Sequence, residues 1–195
     1  MSSLVISGDT SGTVTVAAPA VAGSNTLTLL AATATNSVNT LATAVASTSG
    51  TSIDFTSLPS WIKRITVMFN AVSTSGTSNI QIQLGTGSTT FTTSGYAGAG
   101  MNTNSGTLGT QNYTSGLATS VANAAAGILV GHAIFTNVSG NIWVGSINCS
   151  RTDIASVGIG STVITLPAVL TAVRITTVNG TDTFDAGSVN ILYEG

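Results

Sequence analysis

Charge is scarce in this chain of 195 residues, of which four are Lys or Arg and six are Asp or Glu, together 5% of the sequence. A typical soluble domain carries roughly 25% charged residues. A nucleic-acid interface needs Lys and Arg gathered on one surface. The four cations here do not form such a cluster in the sequence, where they stand as Lys63, Arg64, Arg151 and Arg174. We therefore expect no nucleic-acid partner.

Cysteine and histidine are also nearly absent, with one residue of each kind, Cys149 and His132. A single cysteine excludes an internal disulfide. Two residues cannot supply the four ligands of a structural zinc site. Asp182 and Asp185 lie close together, but their spacing lacks the EF-hand pattern of calcium ligands. We expect a solvated turn at that position, no bound metal and no cofactor.

The sequence also lacks the patterns that typify catalytic sites. His132 lies in an apolar run between Gly131 and Ala133, where a structural histidine is the simpler interpretation. No serine is surrounded by the nucleophile-elbow pattern of an α/β-hydrolase. We expect no catalytic residues and no enzyme activity.

Long hydrophobic runs are missing although the mean hydropathy, +0.47, is high. The longest uncharged apolar stretch near the middle, residues 122–135, is shorter than the roughly 20 residues that span a bilayer. The opening residues have no basic segment followed by an apolar one, which is the pattern of a signal peptide. We expect neither a signal peptide nor insertion into a membrane.

The shortage of charge has a consequence for assembly. Charged side chains normally keep a lone domain soluble and keep strand edges apart. A surface of Ser, Thr, Asn, Gly and apolar groups instead suits burial between subunits. The composition therefore favours a homo-oligomer.

β-Branched residues and turn formers dominate what is present. Val, Ile and Thr favour strands, and Gly, Asn and Ser interrupt the chain at short intervals. This pattern predicts an all-β antiparallel β-sandwich, jelly-roll-like, with an extended β-rich segment over residues 1–50 and a sandwich domain over residues 51–195. Residues 62–70 and 79–84 are predicted to pair as one hairpin, and residues 126–137 and 141–150 as a second.

Two parts of the chain carry a family resemblance, one over residues 7–19 and 22–29 and the other over residues 60–69 and 174–187. The first part resembles a repeat-like segment, and the second is similar to a C-terminal domain, of the virion appendage proteins of tailed bacteriophages, the tail-fibre and head-fibre family. The resemblance implies a structural virion protein, usually trimeric, on the tail or on the head. It also implies a location on the virion surface and partners among tail, baseplate or capsid proteins.

The first segment is too short and too poor in apolar residues to form a core alone. We therefore expect it to intertwine with copies of itself or to attach to the virion. The candidates for that contact are the apolar residues that alternate along its strands: Leu4, Ile6, Val14, Val16, Leu27 and Leu29.

A host-surface glycan is the expected receptor. Sugars bind to exposed aromatic faces beside amide and hydroxyl groups. The Gly-rich stretch over residues 91–116 has no clear strand pattern, and long loops of this kind often carry function. The receptor-contact candidates are two tyrosines and two asparagines of this stretch together with a tryptophan: Tyr96, Asn102, Asn104, Tyr113 and Trp143.

The favoured functional interpretation is a short phage fibre that mediates adhesion to the host surface. Multivalency across the trimer and the virion would multiply weak single-site contacts. The first alternative is a capsid decoration protein that stabilises the assembled head. The second alternative is a carbohydrate-binding module with no role in a virion.

Overall fold

The chain is described by a computed structural model that covers residues 3–7, 13–17, 39–104, 106–121, 123–125 and 127–195. Contacts within the chain divide it into two compact units, Met1–Asn36 and Ser37–Gly195. The described residues form strands and include no α-helix, so none of these residues belongs to a helix that could cross a bilayer.

The first unit contains one antiparallel strand pair, β1 (Ser3–Ser7) and β2 (Thr13–Ala17). Leu4 lies opposite Val16, and Ile6 lies opposite Val14. Four of the attachment candidates therefore occupy paired positions in this ladder. The other two, Leu27 and Leu29, lie outside the described residues.

The second unit holds thirteen described strands. Their bounds are β3 Asn39–Leu41, β4 Val45–Ala46, β5 Ser52–Phe55, β6 Arg64–Thr74, β7 Ile80–Gly85, β8 Ala97–Asn104, β9 Thr107–Tyr113, β10 Leu117–Ala118, β11 Leu129–Ser139, β12 Ile142–Arg151, β13 Ser156–Thr165, β14 Ala172–Thr177 and β15 Phe184–Glu194. Every pairing between them is antiparallel.

Nine of these strands form one large sheet in the order β3-β15-β6-β11-β12-β13-β8-β9, with β4 also paired to β15. The other four form a small sheet in the order β10-β7-β14-β5. Buried and exposed residues alternate along the central strands of the large sheet, as in β12, because successive side chains of a strand point to opposite faces. One face of the large sheet is therefore buried and the other is exposed.

The hydrophobic core lies between the two sheets. The large sheet contributes Ile65, Val67 and Phe135, and the small sheet contributes Ile82 and Ile175, all fully buried. The structure is an antiparallel β-sandwich, which confirms the fold class predicted from the sequence.

The hairpin predicted between residues 62–70 and 79–84 is wrong. β6 pairs with β11 and β15 in the large sheet, whereas β7 pairs with β10 and β14 in the small sheet. The turn between them carries the chain from one sheet to the other. Alternation shows that a strand has a buried face, but it does not specify the neighbouring strand, and consecutive strands are neighbours only about two-thirds of the time. The second predicted hairpin is present as β11 and β12.

The structure places the unit boundary earlier than residue 50. β3 and β4 pair with β15, and Ala42 packs against the core. The Ala42 N–H donates to the Ile191 carbonyl at 2.9 Å, and the Ser47 hydroxyl donates to the Ala186 carbonyl at 2.6 Å. Residues 39–47 therefore belong to the sandwich rather than to the N-terminal segment.

Candidate functional site

The aromatic residues expected to contact a receptor are buried. Tyr96, Tyr113 and Trp143 are 4%, 3% and 3% exposed and belong to the core between the sheets. The Tyr96 hydroxyl accepts a hydrogen bond from the Leu84 N–H at 2.8 Å, and burial raises the pKa of Tyr96 to about 12. The Tyr113 hydroxyl bonds to the Ser120 hydroxyl, and burial raises its pKa as well. This burial corrects the prediction that these three residues present an exposed aromatic surface to a receptor, because all three rings pack inward.

The two asparagine candidates lie near the end of β8. Asn102 is half-buried and Asn104 is exposed. The stretch that contains them is a strand pair, β8 with β9, rather than a loop. The asparagines remain receptor-contact predictions, but no exposed aromatic ring among the predicted residues accompanies them.

The first candidate surface is the exposed face of β8, β9, β11, β12 and β13, called here the outer face. Several of its aliphatic side chains are solvent-exposed, with Met101 at 40% and Ile159 at 47%. Further exposed apolar residues on these strands are Leu108, Ile142, Val144, Val157 and Val163. Isolated exposed aliphatic residues are ordinary, whereas a concentration of them on one face marks an interaction surface.

Neighbouring strands bring the outer-face residues into rows across the sheet. One row is a ridge formed by Met101 and Ile159, which are directly paired between β8 and β13. The next row is a trough of small side chains, Ala99, Ser161 and Ser146, which the strand registers align. A second apolar row follows on its far side, where Val163 is paired with Val144. Because residues of one face repeat every two positions, the two apolar rows stand about 13 Å apart.

A groove of about 640 Å³ is lined by the trough and by the Met101–Ile159 ridge, but not by the Val163–Val144 row. Its lining combines apolar side chains with uncharged polar groups: Met101, Ile159, Asn112, Asn148, Ser146, Ser161 and His132. His132 is exposed, and its strand neighbours on either side are Asn148 and Met68. A groove of this size and character can hold a row of apolar side chains from another protein surface.

No Asp, Glu, Lys or Arg occupies an outward position of these five strands within the described residues. Arg151 ends β12, has a mostly buried side chain and forms an ion pair with Asp153. Further along the sheet, Arg64 and Glu194 form an ion pair at 3.4 Å. The outer face therefore offers hydrophobic contact without like-charge repulsion.

The second candidate surface is the outward side of the small sheet, and its chemistry is the opposite. Most of its outward positions on β5, β14 and β7 are polar and form two rows that run across the strands, whereas the next row along, Ala172 opposite Gly85, is non-polar. One row is Ser52, Thr176 and Gln81, and the other is Asp54, Arg174 and Gln83. These rows lie in and beside a cleft of about 330 Å³, called here the polar cleft.

Arg174 is held in place from two sides. Its Nε and Nη2 donate to the two carboxylate oxygens of Asp54 at 2.8 and 2.7 Å, and its guanidinium lies 4.0 Å from the centre of the Phe91 ring. The hydrogen bonds to Asp54 raise the pKa of Arg174. The paired charges cancel, so this end of the polar cleft carries no net charge.

The two glutamines of the polar cleft are buried and held by hydrogen bonds. Gln81 Nε2 donates to the Thr177 carbonyl at 3.3 Å, and Gln81 Oε1 accepts from the Ser115 hydroxyl at 2.9 Å. Gln83 Nε2 donates to the Ser115 carbonyl at 2.9 Å. These contacts fix the amide planes and leave each amide with unused hydrogen-bonding capacity.

From the sequence we predicted neither a metal site nor catalytic residues. The structure shows the surroundings of the side chains that were considered for these roles. The described residues contain no cluster of three or more His, Cys, Asp or Glu side chains that could hold a metal ion. Cys149 is buried, and that burial raises the pKa of its thiol to about 12. Asp182 lies in a turn, where it accepts hydrogen bonds from the Ser78 N–H and from the Asn179 amide.

Fold and surfaces together define an antiparallel β-sandwich with one apolar and one polar outward side. No family model, curated protein or solved structure matches the chain.

Sequence reasoning missed both surfaces. The polar outward side had one visible signal, the alternation of Gln81 and Gln83 with Ile80, Ile82 and Leu84. The outer face had a similar signal in β12, where both alternating sets contain large apolar residues: Ile142 and Val144 in one set, and Trp143 and Ile147 in the other. Neither signal shows which strands lie side by side, and that arrangement creates the groove and the cleft.

Proposed function

We propose that this chain is a structural protein of a bacteriophage particle, a surface subunit that assembles as a homotrimer through the outer face of its large sheet. The observation that carries the assembly is the continuous, uncharged and partly apolar outer face with its ridge and trough. The role in a virion rests on the resemblance of residues 7–19, 22–29, 60–69 and 174–187 to phage appendage proteins.

The shape of the outer face supports a second copy as its partner. A ridge beside a trough lets the ridge of one copy enter the trough of the next. An identical copy would repel a charged face, but this face has no charged side chain at its described outward positions. Five strands of about nine residues present roughly 600 Å². That approaches the roughly 800 Å² per partner of a standard interface, and β6 and β15 extend the same sheet.

The N-terminal unit is proposed as the part that attaches to other virion proteins. Its contacts separate it from the sandwich, and its described part is one two-stranded ladder. A two-stranded sheet is marginal in water by itself and gains stability from a partner. Attachment there would leave the sandwich displayed on the particle surface.

Light scattering coupled to size-exclusion chromatography tests the assembly. The wild-type chain is expected at three times the 19.3 kDa chain mass at micromolar concentration. Ile159→Lys places a charge in the contact and is expected to weaken the association at least tenfold, toward monomer. The control is Val169→Lys, because Val169 is equally exposed at 49% but lies outside these strands. A wild-type monomer would contradict the proposal.

Copy number on purified particles of the encoding phage tests the virion role. Gel densitometry is expected to give a few trimers per particle for a fibre. Hundreds of copies would favour the capsid decoration alternative, in which the protein binds only the assembled shell. Absence from the particles would overturn the virion role and leave the assembly result standing.

A further inference from the structure

The polar cleft of the small sheet is large enough to hold a small ligand. Its volume, about 330 Å³, lies at the lower end of the roughly 300–1,000 Å³ of small-molecule sites. The side chains that line it carry hydroxyl, amide and guanidinium groups, among them Gln81, Gln83, Thr93, Ser115, Arg174 and Thr176.

These groups are ordered before any ligand arrives. The glutamine amides are fixed by Ser115 and Thr177, and the Thr176 hydroxyl donates to the Thr51 carbonyl at 2.8 Å. Arg174 is fixed by Asp54 and Phe91. Side chains that are already ordered lose little conformational entropy on binding, which favours affinity.

The ordered groups keep donors and acceptors free for a ligand. Of the five N–H groups of Arg174, two point to Asp54 and three remain. Each glutamine amide uses one of its two N–H groups in the bonds described above. Thr176 uses its hydroxyl proton and keeps its oxygen lone pairs.

The charge of the cleft selects the class of ligand. An unpaired cation would favour an anion, but here Asp54 already neutralises Arg174. A cation needs an unpaired carboxylate, and the same ion pair removes that option. Neighbouring donors and acceptors without net charge match the vicinal hydroxyl groups of an uncharged sugar, because each hydroxyl both donates and accepts.

We infer that the polar cleft binds one or two residues of a neutral oligosaccharide. Gln81, Gln83, Thr176 and Arg174 contact the sugar hydroxyls. The site is distinct from the outer face, so it remains open when the outer faces are covered by neighbouring copies. The inference does not depend on the proposed assembly, because each chain carries a complete cleft.

Binding is tested with the full-length chain on an array of neutral and acidic oligosaccharides, followed by isothermal titration calorimetry with a neutral oligosaccharide that binds. Two variants alter the cleft. Gln83→Ala removes one fixed amide, and Thr93→Arg places a bulky side chain at the exposed rim. Two controls match them in chemistry elsewhere: Asn39→Ala removes an exposed amide on β3, and Ser139→Arg enlarges an exposed side chain at the β11–β12 turn. A separate variant, Asn104→Ala, tests the receptor contact predicted near the end of β8.

The wild-type chain is expected to bind neutral members of the array. Both cleft variants are expected to raise the per-site dissociation constant at least tenfold, with the controls within twofold of wild type. If Gln83→Ala fails to fold, Thr93→Arg decides, because residue 93 lies outside the core. The inference is overturned if the wild type binds no array member or only acidic ones. It is also overturned if Asn104→Ala abolishes binding while the cleft variants retain it, which would locate the receptor contact at the β8–β9 end.

Discussion

The Tyr113 hydroxyl lies beneath Gly100 and Gly160, which face each other across β8 and β13. A Cβ atom added at either glycine would collide with that hydroxyl. The two glycines therefore let a buried tyrosine pack against the backbone below the groove of the outer face. The same hydroxyl bonds to Ser120, so a steric change at either glycine also disturbs a buried polar pair.

Gly160→Ala is expected to destabilise the sandwich by about 1–3 kcal/mol, the usual effect of overpacking a filled core. The backbone at Gly160 is not in the left-handed region, so the effect is steric. Urea unfolding measures it. The matched control is Gly87→Ala, where the nearest atoms to an added Cβ belong to Thr90 at 3.4 and 3.5 Å, and a change within about 0.5 kcal/mol is expected. Equal stability of the two variants would contradict the packing described for Tyr113.

At the scale of the element, β15 organises one end of the large sheet. It pairs with β6 on one side and with both β3 and β4 on the other. The Asn190 side chain adds a hydrogen bond to the Ala42 carbonyl at 3.0 Å. The short strands β3 and β4 therefore cover the edge of a long core strand, as edge strands in natural sheets commonly do.

Two truncations test the contribution of β3 and β4. A chain of residues 37–195 keeps them and is expected to melt within about 2 °C of the full chain. A chain of residues 51–195 loses them, uncovers the edge of β15 and breaks the bonds made by Ala42 and Ser47. It is expected to lose at least about 2 kcal/mol, or about 4–8 °C in Tm for a domain of this size. Circular dichroism measures the melting, and identical Tm values would place the boundary at residue 50 after all.

At the scale of the whole molecule, the two outward sides of the sandwich are proposed to make different kinds of contact. The side suited to copies of the chain is uncharged and partly apolar, and the side suited to a sugar is polar with a neutralised ion pair. The proposed surface subunit would need both properties to adhere to a cell. Clustered copies would then multiply a weak single-site affinity by effective concentration.

Assembly through the outer face is expected to be insensitive to salt. Hydrophobic association involves no ion pairs that salt could screen, whereas exposed charge pairs are weakened strongly at 1 M ionic strength. Sedimentation at 0.05 M and 1 M NaCl is expected to give the same oligomer mass. Dissociation at high salt would instead indicate ion pairs between copies, formed by exposed charged groups.

The fold class and several strands could be predicted from local patterns. The alternation of apolar and polar residues identified β1, β2, β6 and β7, and the pattern over residues 126–137 and 141–150 identified the β11–β12 hairpin. The candidate surfaces could not be found in this way. Tyr96 and Tyr113 lie in a Gly-rich stretch that reads as an exposed loop, yet the glycines of this stretch allow close packing, and the rings turn inward.

The sequence by itself determined the all-β fold, the scarcity of charge and the expectation that the chain has partners, because each follows from residue type and local spacing. Only the tertiary structure decided that β6 and β7 belong to different sheets and that β3 and β4 join β15. The tertiary structure alone also paired Met101 with Ile159 and Gln83 with Arg174 on neighbouring strands. The reason is physical: a side-chain period of two residues specifies which face of a strand is buried, but strand pairing depends on contacts between residues far apart in the chain.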